Sequence, residues 1–220
     1  MDKVVQYLQQ TVPDHGTFYQ KLEQYALENR IPIMEPVSMN FLTQLIRIKQ
    51  PFKILELGTA IGYSALRMLE ANPLATITTI ERNEEMYRQA NDNIQKANKQ
   101  DDIQILLGDA IEVVQELVTE GNKFDFIFID AAKGQYKQFF TEVEALLETK
   151  GIIVCDNVLF RGYVADESKN DNIRVQKLAT KIRSFNDWLI KQPHYHTSII
   201  PIGDGLSISV KMSSNSFNDA

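Results

Sequence analysis

Apolar positions recur along this chain with two different periods. Over the first fifty residues the spacing is helical. Phe18, Leu22, Tyr25 and Ala26 share one face, as do Phe41, Leu42, Leu45 and Ile46. Pro32 and Pro36 interrupt the pattern and bracket a loop. From Lys53 onward, short apolar runs alternate with amphipathic stretches. The pattern predicts strands at Lys53–Leu57, Thr76–Ile80, Ile103–Leu107, Phe124–Ile129 and Gly151–Cys155. It predicts helices at Ser64–Glu70, Glu84–Ala97, from Ala110 to about Val118, and at Tyr136–Leu147. The run Phe124-Asp125-Phe126-Ile127-Phe128-Ile129 suits a strand buried on both faces. After Cys155 come a loop and a helix with Leu178, Ile182, Phe185 and Leu189 on one stripe and Trp188 beside it, a position that suits core packing.

The rhythm changes at the end. Thr197–Ile200 and Leu206–Val210 read as two strands joined through Gly203-Asp204-Gly205, a hairpin signal. Strands alternating with helices imply right-handed crossovers. The expected fold is therefore α/β and Rossmann-like, with a mostly parallel seven-stranded sheet, a C-terminal antiparallel hairpin, and helices on both faces. Residues 1–50 form a helical cap of the same domain, 51–212 the main body, and 213–220 a polar tail.

The stretch from Ile54 to Ser64 runs from a strand through a glycine turn into a helix, and glycine lets backbone approach a ligand closely. The glycines stand at Gly58 and Gly62. A dinucleotide fingerprint would also require glycine where Ala60 and Tyr63 stand. The missing middle glycine is the one that lets a pyrophosphate touch the backbone. The turn thus favours a nucleoside ligand without a diphosphate, for which S-adenosylmethionine is the candidate, and it speaks against a nucleotide-dependent oxidoreductase.

In an open parallel sheet, ligands bind beyond the carboxyl ends of the strands. Glu56-Leu57-Gly58 ends the first strand. Glu81 ends the second, roughly 20 residues past the glycine turn, where an acidic group accepts ribose hydroxyls. Gly108-Asp109-Ala110 ends the third, and Asp109 there is placed both to cap the next helix and to border the adenine. The fourth and fifth strands end at Asp130-Ala131-Ala132-Lys133 and Asp156-Asn157. Two carboxylates and an amide at adjacent strand ends are hard oxygen donors that suit Mg²⁺, or Mn²⁺, better than zinc. The alternative for each aspartate is a simple capping role. Lys133 beside the set, and the convergence of the donors, favour a site, and argue against a binding module that merely keeps the fold. His15, His194 and His196 have no companions that would complete a metal set, and the sequence lacks a nucleophile-elbow arrangement.

Composition adds three constraints. The 44% hydrophobic and 24% charged content is that of a globular protein. The absence of a signal-peptide core or membrane-length apolar run, together with a single cysteine, Cys155, predicts a cytoplasmic location with no membrane partner. The net charge of −6 argues against a surface that grips nucleic acid everywhere. From Arg161 to Arg183, however, six basic side chains (among them Arg161, Lys169 and Arg174) stand against three acidic ones. That local excess reads either as a solvated helix face or as a polyanion contact.

Taken together, these motifs resemble the class I S-adenosylmethionine-dependent methyltransferases, and within them the metal-dependent O-methyltransferases that include the catechol and caffeoyl-CoA enzymes. The similarity runs through Ile33-Met34-Glu35, Gly58–Ser64, Asp130–Tyr136, Asp156–Phe160 and Ile200–Leu206. It extends most closely to the bacterial tRNA 5-hydroxyuridine methyltransferases. The resemblance implies cofactor contacts at Met34, Glu56, Gly58, Gly62, Ser64, Glu81, Asp109, Ala110 and Asp130. It implies metal ligation by Asp130, Asp156 and Asn157, catalysis by Asp130 and Lys133, and a homodimer. On this reading the substrate is 5-hydroxyuridine in the tRNA anticodon, with Arg161, Lys169 and Arg174 on the RNA backbone. The alternative substrate is a small catechol-like or CoA-ester phenol.

Overall fold

The computed structural model describes residues 3–166 and 172–213. Three helices open the chain: α1 (Lys3–Thr11), α2 (Thr17–Asn29) and α3 (Pro36–Lys49). Then come β1 (Lys53–Leu57), α4 (Tyr63–Ala71), β2 (Thr76–Glu81), α5 (Glu84–Lys96), β3 (Ile103–Leu107), α6 (Ala110–Thr119), β4 (Phe124–Ile129), α7 (Tyr136–Val143) and β5 (Leu147–Cys155). The chain ends with α8 (Ile173–Leu189), β6 (Tyr195–Ile200) and β7 (Leu206–Lys211). The strands form one sheet in the order β3-β2-β1-β4-β5-β7-β6. The first five are parallel, and β7 runs antiparallel to both β5 and β6. This is the seven-stranded, mostly parallel sheet with a terminal antiparallel hairpin that the pattern of the sequence predicts.

Alternation along the central strands creates two cores. Ile54, Phe126, Phe128 and Val154 face one side, where they meet Met39, Leu42 and Ile46 of α3 and Leu66, Met68 and Leu69 of α4. Leu55, Leu57, Ile127, Ile129 and Ile153 face the other, against Phe139, Phe140 and Val143 of α7 and Ile182, Phe185 and Leu189 of α8. Leu22 and Ala26 of α2 join α3 in the first core, whereas α1 buries no residue. Trp188 packs edge-on against Phe140 at 5.7 Å, a core role.

Two stretches differ from expectation by more than one residue. The helix predicted to reach Leu147 ends at Val143, continues as a 3₁₀ turn over Glu144–Leu146, and gives way to β5 at Leu147 rather than at Gly151. Leu147 pairs with Phe124, and a register shift between Phe124 and Phe126 absorbs the extra residues. The chain folds back tightly here: a Cβ on Gly151 would lie 2.6 Å from Leu147 Cδ1 and 2.8 Å from the Glu148 carbonyl oxygen. Likewise β6 starts at Tyr195, which pairs with Lys211, two residues before the predicted start.

The chain reverses its direction of travel across the sheet between β1 and β4. A crevice opens there, outside the carboxyl ends of the strands. Among the described residues no helix is long and apolar enough to cross a membrane. Of the tail from 213 to 220, all but Ser213 lies outside the described residues.

Candidate active site

The crevice is a cavity of about 780 Å³ at the carboxyl ends of β1 to β5. It has two halves. One is lined by Met34, Gly58, Ala60, Ile80, Glu81, Arg82, Asn83, Met86, Gly108, Asp109 and Ala110. The other is lined by Asp130, Ala131, Ala132, Lys133, Asp156, Asn157, Arg161, Gly203 and Asp204.

The first half is built from turns that directly follow strands. Gly58 has a φ of 102°, and a Cβ there would collide with the backbone oxygen of Asp130, so only glycine allows the turns after β1 and β4 to touch. Ala60 also adopts a left-handed φ, 46°, and its N–H donates to Glu81 Oε2 at 2.9 Å. Glu81 Oε1 accepts the N–H of Asn83 at 2.8 Å, so this one carboxylate ties the first turn to the second. Asp109 caps α6 by accepting the Ile111 N–H at 2.9 Å while also lining the cavity, as its two roles allow. Met34 is buried in the core and borders the cavity with the rest of its surface.

Glu56, Gly62 and Ser64 are placed differently from the other residues assigned to the cofactor, because they lie beneath the turn and outside the cavity lining. Glu56 is fully buried and accepts hydrogen bonds from the hydroxyls of Ser64 and, at 2.6 Å, Thr79. Thr79 and Thr59 share a further hydroxyl contact of 2.6 Å. Burial pushes the Glu56 carboxyl up to about 8, against the pull of its two hydroxyl donors. Gly62, with φ 80°, opens α4 against Ala90.

The second half gathers groups from distant parts of the chain. Ile129 of β4 and Cys155 of β5 are register partners, so Asp130 and Asp156 leave the sheet side by side. Asp156 is 3% exposed, and its Oδ1 accepts the Asn157 N–H at 2.6 Å. The Tyr136 hydroxyl donates to the Asp156 carbonyl at 2.8 Å, and Asn186 Nδ2 of α8 to the Val158 carbonyl at 2.8 Å; both steady the loop after β5. Burial pushes the Asp130 carboxyl up, with Lys133 opposing. Asp156 is pushed up by burial and then by the charge of Asp130.

Like charges crowded out of water are the electrostatic condition that a divalent cation relieves, and two carboxylates plus the Asn157 amide are the oxygen donors such a cation takes. The residues present therefore fit the group. Among the described residues no set of three or more His, Cys, Asp and Glu side chains could hold a metal, so the amide is needed to complete the triplet.

Arg161 lines the cavity, whereas Arg174 lies outside it, exposed at the start of α8. Lys169 lies outside the described residues. Lys133 Nζ stands 3.5 Å from Asp204 Oδ2 and 5.5 Å from the centre of the Phe160 ring. Asp204 is the lining residue that sequence reasoning passed over, since Gly-Asp-Gly between two strands is already explained as a turn. The pairing of β7 with β5 is what carries that turn to the cavity. Arg82, Asn83 and Met86 also escaped notice, and their only signal was proximity to Glu81.

The comparisons agree with this geometry. Residues 9–212 match a protein-family model described as O-methyltransferase. A caffeoyl-CoA O-methyltransferase-like protein of Staphylococcus aureus has a solved structure with a TM-score of 0.89 and 36% identity, covering 96% of this chain and all of that one. An O-methyltransferase of Bacillus cereus, solved in complex with SAH, gives a TM-score of 0.81 at 27% identity over 94% of this chain and 96% of its own. A catechol O-methyltransferase of Niastella koreensis is 37% identical over 140 residues, 63% of each chain. A Rossmann-like sheet, a cavity at its topological switch point and a family match spanning nearly the whole chain lead to one conclusion: this protein belongs to the O-methyltransferase family, of the caffeoyl-CoA and catechol type.

Proposed function

We propose that this protein transfers the methyl group of S-adenosylmethionine to the 5-hydroxyl of 5-hydroxyuridine at the wobble position of the tRNA anticodon, giving 5-methoxyuridine, with Mg²⁺ or Mn²⁺ at Asp130, Asp156 and Asn157. The observation that carries the reading is the two-part cavity. A glycine turn and a ribose-placed carboxylate occupy one side, and a close carboxylate pair, the buried Asp156 and the half-buried Asp130, the other. The SAH complex of the Bacillus cereus relative supports the choice of donor.

The donor is already activated, since a sulfonium carries the methyl group. The protein's work is alignment and charge. Bringing two bound reactants into line is worth about 7–11 kcal/mol in well-oriented systems. Glu81, Asp109 and Met34 would fix the nucleoside, and the Gly58 turn would keep the donor's backbone contacts close. A divalent cation, when bound, lowers the pKa of a coordinated hydroxyl and orients it. Asp130 and Asp156 supply the negative charge that holds it, and Asn157 a neutral oxygen. Lys133, ion-paired with Asp204, presents its positive charge to the oxygen that becomes an oxyanion.

An enol-like hydroxyl with a carbonyl oxygen beside it is a good acceptor for such a site. The basic surface supports an RNA. Arg174, Lys177 and Lys181 are exposed along α8. That helix packs on the 3₁₀ turn Lys133–Gln135, where a Cβ on Gly134 would lie 3.9 Å from Leu178. Arg161, Arg174 and Lys169 would meet the RNA backbone, and a homodimer would supply a second copy of the segment. A small catechol-like or CoA-ester phenol is the second reading, favoured by the names of the relatives.

Nucleoside mass spectrometry of tRNA from cells with and without the protein tests the acceptor. Loss of 5-methoxyuridine with accumulation of 5-hydroxyuridine is the expected result. An unchanged nucleoside profile, together with turnover of catechols by the purified protein, would hand the argument to the second reading.

A further inference from the structure

Asp204 has no role in the account above beyond its contact with Lys133, yet it is the best-connected side chain of the acceptor half. It sits in the turn between β6 and β7 with 17% of its side chain exposed. One carboxylate oxygen accepts the backbone N–H of Arg161, and the other lies 3.5 Å from Lys133 Nζ. The backbone repeats the connection. The Asp204 carbonyl accepts the Leu159 N–H at 2.9 Å, and the Gly205 carbonyl accepts the Val158 N–H at 3.0 Å. A single turn thus touches both the segment after β4 and the loop after β5.

That loop needs holding. Phe160 and Arg161 both adopt left-handed backbone, with φ of 44° and 54°, a conformation that side chains with a Cβ resist. The close approach of the turn depends on its glycines. A Cβ on Gly203 would collide with Ser38 Oγ of α3, and one on Gly205 with the Leu159 side chain. The turn is therefore wedged between α3 and the acceptor loop.

We propose that Asp204 is a positioning residue with two separable tasks. One oxygen latches the Arg161 backbone and so keeps the acceptor loop in its strained form. The other aims the Lys133 ammonium into the cavity. The second task rests on the functional reading given above; the first does not.

Two substitutions separate the oxygens. Asp204→Asn keeps a carbonyl oxygen for the Arg161 N–H and removes the charge that faces Lys133. Asp204→Ala removes both. With tRNA bearing 5-hydroxyuridine and with catechol as acceptors, Asp204→Asn is expected to lower kcat about tenfold while the KM for S-adenosylmethionine stays within twofold. Adding Lys133→Met to it should cost no more than Lys133→Met alone, because Asp204 acts through Lys133.

Limited trypsin digestion of the ligand-free protein is expected to cut after Arg161 at the wild-type rate in Asp204→Asn and about tenfold faster in Asp204→Ala. A wild-type kcat in Asp204→Asn, or a loss shared equally by the KM for S-adenosylmethionine, overturns the aiming task. Unchanged protection of Arg161 in Asp204→Ala overturns the latch. Should Asp204→Ala not fold, amide exchange of the wild-type protein decides: an unprotected Arg161 N–H refutes the latch, and a protected one upholds it. The digestion needs no acceptor, so a wild-type protein that methylates neither substrate would refute the functional reading while the latch is still judged on cleavage.

Discussion

The two halves of the cavity are built by opposite means. The nucleoside half is mostly local: apart from Met34, between α2 and α3, its lining groups lie within a few residues of a strand end, and its polar atoms are largely satisfied inside the protein. Glu81 holds two backbone N–H groups, and Asp109 caps its own helix. The acceptor half brings together residues near 130, 156 and 204, sets the half-buried Asp130 beside the buried Asp156, and holds three non-glycine residues, Asn157, Phe160 and Arg161, in left-handed backbone against one, Ala60, in the other half. The first half is organised as a support for a ligand that is always the same. The second sets two carboxylates against each other, the kind of unfavourable electrostatics by which active sites commonly trade stability for function.

The sharpest way to break this contrast is to remove charge from the acceptor half. Asp130→Ala should lower turnover by at least about 10²–10³-fold, the scale of losing one preorganised electrostatic group. Lys133→Ala should leave measurable activity. Asp156→Asn should be equally poor in turnover, yet in chelator-treated buffer it should raise the melting temperature. Relief of about 1 kcal/mol of repulsion corresponds to roughly 2–4 °C for a chain of this size. A lower melting temperature in calorimetry would mean that the carboxylate pair is not under electrostatic stress.

A second comparison uses glycines. Gly58→Ala forces a collision with the Asp130 carbonyl and should cost about 3 kcal/mol or more, disturbing both halves at once. Gly62→Ala meets Ala90 only at ordinary contact distance and should cost about 1–2 kcal/mol, the strain of its positive φ. Urea denaturation of the two variants measures the gap, and equal losses would remove the turn-to-turn contact from the explanation.

The buried strut of the nucleoside half has its own pH signature. The Glu56 carboxyl is raised from 4.5 to about 8 on folding. A raised carboxyl stabilises the fold fully below pH 4.5, where both states are protonated, and that contribution is lost as pH rises toward 8. The slope is at most about 1.4 kcal/mol per pH unit. Glu56→Gln should flatten the decline between pH 5 and 8, and parallel curves for the two proteins would contradict the assignment. The smallest effect is expected at the rim. Neutralising Arg174 should weaken tRNA methylation by a few fold and reduce the salt slope by about one. It should leave catechol turnover, if any, unchanged.

Much of this could be read from the chain alone. The glycine turn, Glu81, Asp109 and the strand-end positions of Asp130 and Asp156 were visible because turn chemistry and the continuous apolar run of β4 are imposed by residues close in sequence. What the chain did not announce is that Glu56, beneath the turn, accepts the hydroxyls of both Ser64 and Thr79, the latter 23 residues further on.

Local periodicity and glycine placement thus dictated the alternation of strands and helices, the hairpin and the donor-side turn, since each depends on steric rules that act over a handful of neighbours. Which strand lies beside which is decided by packing across the whole sheet. Only the β4–β5–β7 order brings Asp130, Asp156 and Asp204 to one rim, crowds their charges together and sets Lys133 among them. The pattern of the chain already set Asp130 and Asp156 at adjacent strand ends, but nothing in it signalled the arrival of Asp204 beside Lys133, because that depends on contacts between segments scores of residues apart.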